Sequence, residues 1–191
     1  TDHIALAQDN IASSDQFITA LSWIKNRDAS GDYNMVEDRV RGAGTAIFTN
    51  DNIAESTQSD FIHRFLAGGV QIGEDPYYNT ANESYAFWNW MIESTGSGSS
   101  NTDGTINTTA TLVDTTLGLS ISKYTGTGSN ATVGHGLGVI PKMMFIKNLG
   151  TTDNWSVYYG DNTDYIVLNT AAGTVDDATM WNDTTPTSSV F

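Results

Sequence analysis

The chain has 191 residues, of which 39% are hydrophobic and only 16% are charged, and its formal net charge at pH 7 is −14. This length suits one or two domains with a hydrophobic core. The negative net charge disfavours nucleic-acid binding, which needs a basic surface, and it also disfavours adsorption to an anionic membrane. The sequence has no cysteine, which excludes disulfides and cysteine-ligated zinc, and it has no apolar run long enough to span a bilayer.

Residues 1–16 form a polar lead-in, and the segments that follow alternate between apolar and polar residues at the period of a β-strand. Thr and aromatic residues fill these segments, whereas Asn, Asp and Gly, which tolerate positive φ, fill the turns. The strands predicted in this half lie at about 18–25, 33–37, 44–49, 61–66, 70–73 and 84–92. Short strands joined by polar loops, without helical periodicity, predict an antiparallel β-sandwich.

A change in composition separates the two halves of the chain. Residues 94–106 are rich in Gly and Ser, which favours a flexible linker over the alternative of a long, ordered surface loop. Further strands are predicted near 106–114 and 119–125, because Ser120-Ile121-Ser122-Lys123-Tyr124 alternates as a strand with one solvated face should.

One sequence pattern occurs twice. Trp23-Ile24-Lys25-Asn26 returns as Phe145-Ile146-Lys147-Asn148, and in each copy a polar turn and an aromatic-containing strand follow. Ala46-Ile47-Phe48-Thr49-Asn50 then matches Tyr165-Ile166-Val167-Leu168-Asn169-Thr170. This period is too long for a solenoid or a propeller blade. It predicts two tandem β-sandwich units related by duplication, at residues 1–93 and 107–191, with coincidental similarity of two common strands as the alternative.

The two predicted copies differ in extent. The first copy continues to an aromatic run at residues 84–92, for which the second copy has no counterpart. We therefore expect the second unit to be truncated at its C-terminal end, and the chain to be a segment of a longer repetitive protein. In this run Trp88 and Trp90 alternate with Phe87 and Met91, so both faces of the strand are apolar. Such a strand is typically central and buried.

Few residues indicate chemistry. His135, between glycines, is compatible with a catalytic or metal-binding role, but we favour a corner that needs glycine dihedrals, where His135 caps backbone groups. No pair of carboxylates falls in a recognisable catalytic frame. The acidic turns 28–32 and 161–164 could hold Ca²⁺, although simple turn chemistry explains them better. We therefore predict no catalytic residues and no cofactor, with Ca²⁺ as the one candidate metal and its ligands unassigned.

Aromatic residues are the candidates for ligand contact, because exposed rings can stack on sugars. We expect most of the strand aromatics to be buried in the core, including Trp88, Trp90, Trp155, Tyr158 and Trp181. The tyrosines beside polar loop residues are better candidates for exposure. The predicted glycan-contact residues are Tyr77, Tyr78 and Tyr159.

Several quoted segments share one recognisable pattern. The most distinctive is Val133-Gly134-His135-Gly136-Leu137-Gly138-Val139-Ile140-Pro141-Lys142, and the others are 124–128, 155–158, 165–169 and 181–191 in the second half and 24–27, 38–44 and 84–90 in the first. Together they resemble a module of bacteriophage proteins, particularly those of marine phages, which recurs in tandem in tail-fibre and virion-associated proteins. The resemblance implies the concanavalin-like, jelly-roll β-sandwich of laminin-G and lectin domains. One departure is that the first unit has no counterpart of 135–142 before Trp23.

The resemblance and the composition together lead to a functional expectation. The chain is expected to be a non-enzymatic structural component of an extracellular phage virion, in a tail fibre or tail-associated adhesin that contributes to host attachment. A carbohydrate-binding module of a surface protein and a capsid-decoration or head-fibre protein are the alternatives, and a glycan-degrading enzyme is a weaker one. The expected partners are other virion proteins, a host cell-surface glycan and further copies of the chain, with no nucleic acid and no membrane insertion.

Overall fold

The computed structural model describes residues 17–93 and 96–191, together with the backbone of residues 4–7. The chain divides between Ser97 and Gly98 into two compact units. Strands account for 39% of the residues and helix for 2%, and the sheets are antiparallel. The predicted all-β, sandwich-like class is therefore confirmed. The described part of the chain contains no helix with the length and hydrophobicity needed to cross a membrane.

The described residues of the first unit form two antiparallel sheets and one short helix. Its elements are β1 (Ile4–Ala7), β2 (Phe17–Asn26), β3 (Asn34–Asp38), β4 (Thr45–Phe48), β5 (Ser56–Thr57), β6 (Ile62–Leu66), β7 (Gly69–Ile72), α1 (Pro76–Asn79) and β8 (Tyr85–Glu93). One sheet has the strand order β5-β4-β3-β2-β8, and the other has the order β1-β7-β6. Six of these strands, β2, β3, β4, β6, β7 and β8, agree with those predicted from the alternation of apolar and polar residues, whereas β1 lies in the predicted polar lead-in and β5 was not predicted.

The core of the first unit lies between its two sheets. Along β2, alternate residues from Ala20 to Asn26 are buried, as the pleat of a strand requires. Their face packs against the second sheet, and the cluster is Ile24, Met35, Ala46, Phe48, Phe61, Ile62, Val70, Ile72 and Tyr78. Each large apolar side chain buried here stabilises the fold by roughly 1.5–3 kcal/mol.

The aromatic strand β8 occupies an edge of its sheet, so the prediction of a central, buried strand is wrong. Trp88 is 51% exposed and Trp90 is 39% exposed, on the face that points away from the core. The alternation was correct, because Phe87 on the opposite face packs against the core cluster. Trp88 instead packs on Trp23 of β2, with ring centroids 5.8 Å apart. An aromatic pair on the outer face therefore makes both faces of this strand apolar.

The second unit contains a hairpin and a four-stranded meander. Its strands are β9 (Ala110–Asp114), β10 (Leu119–Lys123), β11 (Met144–Ile146), β12 (Ser156–Tyr158), β13 (Asp164–Val167) and β14 (Val175–Asp176). β9 pairs with β10, and the other four follow the order β11-β12-β13-β14. Phe191 exchanges backbone hydrogen bonds with Val133, at 2.9 and 3.1 Å.

Residues 98–106 differ from the predicted flexible linker, because they are hydrogen bonded within the second unit. Ser99 exchanges two backbone hydrogen bonds with Thr111, at 2.7 and 3.1 Å, and the Ile106 N–H donates to the Thr132 carbonyl at 3.0 Å. Gly98 has a φ of +88°, and a side chain there would collide with the Thr111 carbonyl. The alternative of an ordered surface loop describes this stretch.

The second unit repeats the strand register of the first. In each, the repeated motif lies on the first strand of a meander and pairs with the next strand at equivalent positions. The equivalent pairs are Trp23–Val36 and Phe145–Val157, Ile24–Met35 and Ile146–Ser156, and Met35–Phe48 and Ser156–Val167. Register is set independently in each sheet by side-chain pattern and turn geometry, so this agreement supports the predicted duplication.

The asparagines of the repeated motif make the same hydrogen bonds in both turns. The Asn26 side-chain carbonyl accepts the Asp28 N–H at 3.0 Å, and its amide donates to Asp32 at 2.7 Å. The Asn148 side-chain carbonyl accepts the Gly150 N–H at 3.0 Å, and its amide donates to Asp153 at 2.7 Å. An Asx turn of this kind fixes the chain reversal after the strand.

A second asparagine closes the other end of each repeated meander. Asn50 accepts the Asn34 N–H at 2.7 Å, and Asn169 accepts the Trp155 N–H at 2.9 Å. In both units a backbone hydrogen bond accompanies it, from Thr49 to the Asn34 carbonyl and from Leu168 to the Trp155 carbonyl. The copies therefore share polar detail as well as strand order, which common strand composition alone would not produce.

Candidate functional site

The second unit contains a groove of about 650 Å³, which we call the aromatic groove. It is lined by residues from the segments 105–106 and 124–133, from the β11–β12 hairpin and from the C-terminal segment 179–191. Its apolar lining comes from widely separated parts of the sequence. The side chains concerned are Ile106, Tyr124, Met144, Tyr158, Trp181 and Phe191.

The rings of the aromatic groove are held in fixed orientations. Tyr158 is buried on β12, and its ring lies edge-on to Trp181 with centroids 5.6 Å apart. The Trp181 indole N–H donates to the Asp164 carbonyl at 2.9 Å, which anchors the ring to β13. Tyr124 and Phe191 form a second edge-on pair, with centroids 6.3 Å apart, and burial raises the pKa of the Tyr124 hydroxyl. Rigid aromatic walls of this kind offer flat apolar contact area at little entropic cost.

The rim of the aromatic groove is made of amides and hydroxyls. The Asn130 amide donates to the Asn182 side-chain carbonyl at 2.9 Å, so the two rim loops are connected. Asn182 has a φ of +52°, in the left-handed region that asparagine tolerates better than most residues. Thr127 and Thr184 supply hydroxyl groups nearby.

No Asp, Glu, Lys, Arg or His is among the residues that line the aromatic groove in the described part of the chain. This composition contrasts with the formal net charge of −14 for the whole chain. An uncharged groove with aromatic walls and an amide and hydroxyl rim suits a neutral, polyhydroxylated ligand, because ring faces contact apolar C–H groups while the rim exchanges hydrogen bonds with hydroxyls.

A smaller pocket, of about 360 Å³, adjoins the same sheet face. Its lining includes Ser156, Tyr165 and Val167, together with the Asn148–Asp153 turn. In the first unit the corresponding face is covered by β6 and β7, and Met35, the counterpart of Ser156, is only 1% exposed. The second unit therefore has recesses where the first has a closed core.

The predicted glycan-contact tyrosines lie outside the aromatic groove. Tyr78 is only 3% exposed, so the expectation that it is exposed is wrong; its hydroxyl donates to Glu37 at 2.6 Å in the core of the first unit. Tyr77 is half-buried and packs on Tyr33, with ring centroids 5.3 Å apart. Tyr159 is half-exposed, and its hydroxyl lies 3.4 Å from Asp164. Tyr159 follows β12 and is not among the residues that line the aromatic groove.

Glu37 is a buried carboxylate that sequence reasoning missed. It accepts hydrogen bonds from the Tyr78 hydroxyl, from the Ile62 N–H at 3.1 Å and from the Thr45 N–H at 3.0 Å. Burial raises the pKa of Glu37, while the Tyr78 hydroxyl, the Ile62 N–H and the charge of Arg41 oppose the rise. With no exposed surface, the carboxylate joins β3, β4, β6 and α1, and it has a structural role.

His135 caps backbone groups, as the preferred interpretation of the sequence predicts. Its Nδ1 accepts the Leu137 N–H at 3.1 Å, and its Nε2 lies 3.2 Å from the Thr187 carbonyl. These partners fit the neutral ring with the proton on Nε2. Gly136 and Gly138 both have φ near +70°, which explains the glycines on either side of Leu137. Among the described residues, no group of three or more His, Cys, Asp or Glu is arranged to hold a metal ion.

The described residues form two antiparallel β units with a shared strand register, and the second unit carries an uncharged groove. These features define an all-β module. The chain belongs to the family described as Domain of unknown function (DUF7483), which matches residues 7–191. The match extends over both units, so the family comprises the pair. No curated protein and no solved structure matches the chain.

Proposed function

We propose that the chain is a non-enzymatic structural component of a bacteriophage virion, in a tail fibre or tail-associated adhesin that contributes to host attachment. The observation that carries the proposal is the tandem repetition of one β meander with the same register and the same asparagine hydrogen bonds. Tandem repetition is the arrangement of the phage modules that the sequence resembles. The lack of charge in the aromatic groove adds to it, because a host glycan is an attachment ligand of matching chemistry.

Mass spectrometry of purified particles tests the virion assignment, and immunogold labelling of the same particles locates the protein. We expect labelling at the tail. Labelling of the head would instead support the capsid-decoration or head-fibre alternative. Absence of the protein from purified, infectious particles would refute a structural role in the virion.

A carbohydrate-binding module is the second candidate, and the aromatic groove favours it independently of where the protein is located. Glycan arrays with and without Ca²⁺ test this function. Trp181→Ala should abolish binding, and Asn130→Ala, which removes one amide of the rim, should weaken it without disturbing the packing of the rings. Trp88→Ala is the matched control, because it removes an exposed tryptophan outside the groove. Equal losses of glycan binding in the Trp181 and Trp88 variants, or no bound glycan with folded protein, would contradict the assignment.

Incubation of the protein with host polysaccharide should leave the polymer length unchanged, as a non-enzymatic role requires.

A further inference from the structure

The edge strand β8 of the first unit has one open side. Among the described residues β2 is the one strand hydrogen bonded to β8, and the two pair from Tyr85–Asn26 to Glu93–Phe17. The backbone N–H and C=O groups on the other side of β8 therefore have no strand partner in the described part of the chain. A row of such groups is a template for a further strand.

β8 lacks the features that usually keep an edge strand from pairing. It is nine residues long, whereas strands are typically five or six residues long. No proline and no charged residue lies between Tyr85 and Ile92. The irregularity in the pairing with β2 lies between Thr19 and Leu21, so β8 itself has no bulge. Because short length, proline, charge and bulges are the usual protections of an edge, this edge favours the addition of a strand.

The side chains on the outer face of β8 are exposed aromatic rings. Trp88 is 51% exposed and Trp90 is 39% exposed. On the β2 side these residues lie opposite Trp23 and Leu21, and Trp88 packs on the Trp23 ring with centroids 5.8 Å apart. A large aromatic side chain can bury roughly 150–250 Å², so the two rings together leave roughly 200 Å² of surface uncovered. A strand that covers this surface needs large apolar side chains facing the two tryptophans.

The sequence of β8 is complementary to itself. Asn89 is the middle residue of the nine, so two antiparallel copies related by a two-fold axis at Asn89 overlap along their whole length. In this register Trp88 lies opposite Trp90 of the second copy on the outer face, and Phe87 lies opposite Met91 on the inner face. A shift by two residues would shorten the overlap and would place Asn89 opposite an apolar residue. The side-chain pattern therefore specifies one register.

The charges of β8 also permit a second copy as the partner. The formal net charge of the chain is −14, so two copies repel each other in general. Glu93 is the one charged residue in β8, and in the two-fold register it lies opposite Tyr85 of the second copy. Like charges directly opposite each other destabilise a strand pair, and this register contains none.

We propose that the chain forms a symmetric dimer in which β8 of each copy adds as an antiparallel strand to β8 of the other. The five-stranded sheet of the first unit then continues across the two-fold axis into that of the second copy. Both copies use the same surface, so the contact is isologous and association ends at the dimer. This proposal does not depend on the virion assignment or on glycan binding.

Sedimentation velocity of the full chain over a range of protein concentrations tests the dimer. The wild-type chain should pass from monomer to dimer as concentration rises, and added salt should strengthen this association because it screens the repulsion between acidic molecules. A wild type that is monomeric at every concentration, or one that grows beyond the dimer, would overturn the proposal.

Hydrogen–deuterium exchange of the wild-type chain tests the surface without any substitution. Peptides from β8 should gain protection as the dimer forms, because the backbone groups of the open edge become hydrogen bonded. Peptides from the β9–β10 hairpin should exchange equally in monomer and dimer. Association that leaves exchange in β8 unchanged would show that another surface is used.

Paired charge substitutions test the register. Trp88→Lys and Trp90→Glu each place a charge opposite a tryptophan of the second copy, so each variant alone should stay monomeric where the wild type is dimeric. An equal mixture should recover the dimer, because the lysine of one variant then faces the glutamate of the other while the two remaining tryptophans face each other. Both positions are exposed, and circular dichroism confirms that each variant is folded.

Leu117→Lys is the matched control for these variants. It places the same charge at an exposed apolar residue outside β8, and this variant should dimerise like the wild-type chain. A Trp88→Lys chain that dimerises alone, a mixture that stays monomeric, or a Leu117→Lys chain that is monomeric would each contradict the proposed pairing.

Discussion

Removing the Tyr78 hydroxyl tests the role of the buried carboxylate in the first unit. In Tyr78→Phe the ring keeps its contact with Phe61, whose centroid lies 5.4 Å away. The change removes only the 2.6 Å hydrogen bond to Glu37. Glu37 then has two donors left, from the Ile62 and Thr45 backbones, while it stays fully buried.

The expected cost follows from the burial of both partners. A hydrogen bond to a charged group contributes roughly 1.5–3 kcal/mol, and a neutral one about 1 kcal/mol, so we expect the free energy of unfolding to fall by about 2 kcal/mol. For a unit of this size each 1 kcal/mol lowers the Tm by about 4–8 °C. Hydrogen–deuterium exchange read by mass spectrometry resolves the effect, because peptides from β3 and β6 should lose protection. Peptides from the second unit serve as an internal reference.

Tyr77→Phe is the matched control for this measurement. Tyr77 adjoins Tyr78 in α1 and packs on Tyr33, and its hydrogen bond within the described part of the chain is made by its backbone N–H, which donates to the Asp75 side chain at 2.9 Å. Its loss of a hydroxyl should change the free energy of unfolding by less than about 0.5 kcal/mol. If the two variants were equally stable, the buried carboxylate would not be the interaction that joins α1 to the sheet.

Three further predictions concern the same fold. Burial raises the pKa of Glu37 above its usual 4.5. The contribution of Glu37 to stability is therefore present below pH 4.5 and is lost as pH rises through the raised pKa. Glu37→Gln should remove this pH dependence from the free energy of unfolding, measured by urea titration at a series of pH values. Asn26→Ala should cost about 2 kcal/mol because Asn26 is buried, whereas Asn148→Ala, in an exposed copy of the same turn, should cost less than about 1 kcal/mol; equal costs in thermal melts would contradict this. Gly98→Ala should strongly destabilise the second unit, because Gly98 has a positive φ and a side chain there would clash with a β9 carbonyl. Gly126→Ala has open space around it and should be neutral in the same melts. If both variants were tolerated, residues 98–106 would be a linker.

The strands could be predicted from the sequence because each has a regular alternation that one half-buried sheet face imposes. The position of β8 could not, because a strand with two apolar faces is compatible with a central place and also with an edge where tryptophans pair on the outer face. The strand order distinguishes the two, because β2 is the one described strand that pairs with β8. Tyr78 was mistaken for an exposed residue because of its polar neighbours, although Asp75-Pro76 marks a helix start and Asp75 does cap α1.

The aromatic groove could not be predicted, because its walls come from Ile106, Tyr124, Tyr158, Trp181 and Phe191, which no local pattern connects. The same limit applies to residues 98–106. Their Gly and Ser content is typical of a linker, and composition carries no information about the backbone hydrogen bonds that Ser99 and Ile106 make with the rest of the unit. Long-range contacts decide both features.

The difference between the two copies indicates where function lies. Their turns and register agree, because these depend on asparagine side chains and backbone groups that either copy needs in order to fold. Their inner faces do not agree: the position of Glu37, which joins four elements of a closed core, is occupied in the second unit by Tyr158, which lines an open groove. Met35, sealed beneath β6 and β7, likewise corresponds to Ser156 beside a pocket. Side chains on a face that does not pack into a closed core can contact a ligand instead. The inner face of the second meander is therefore where binding should be tested first.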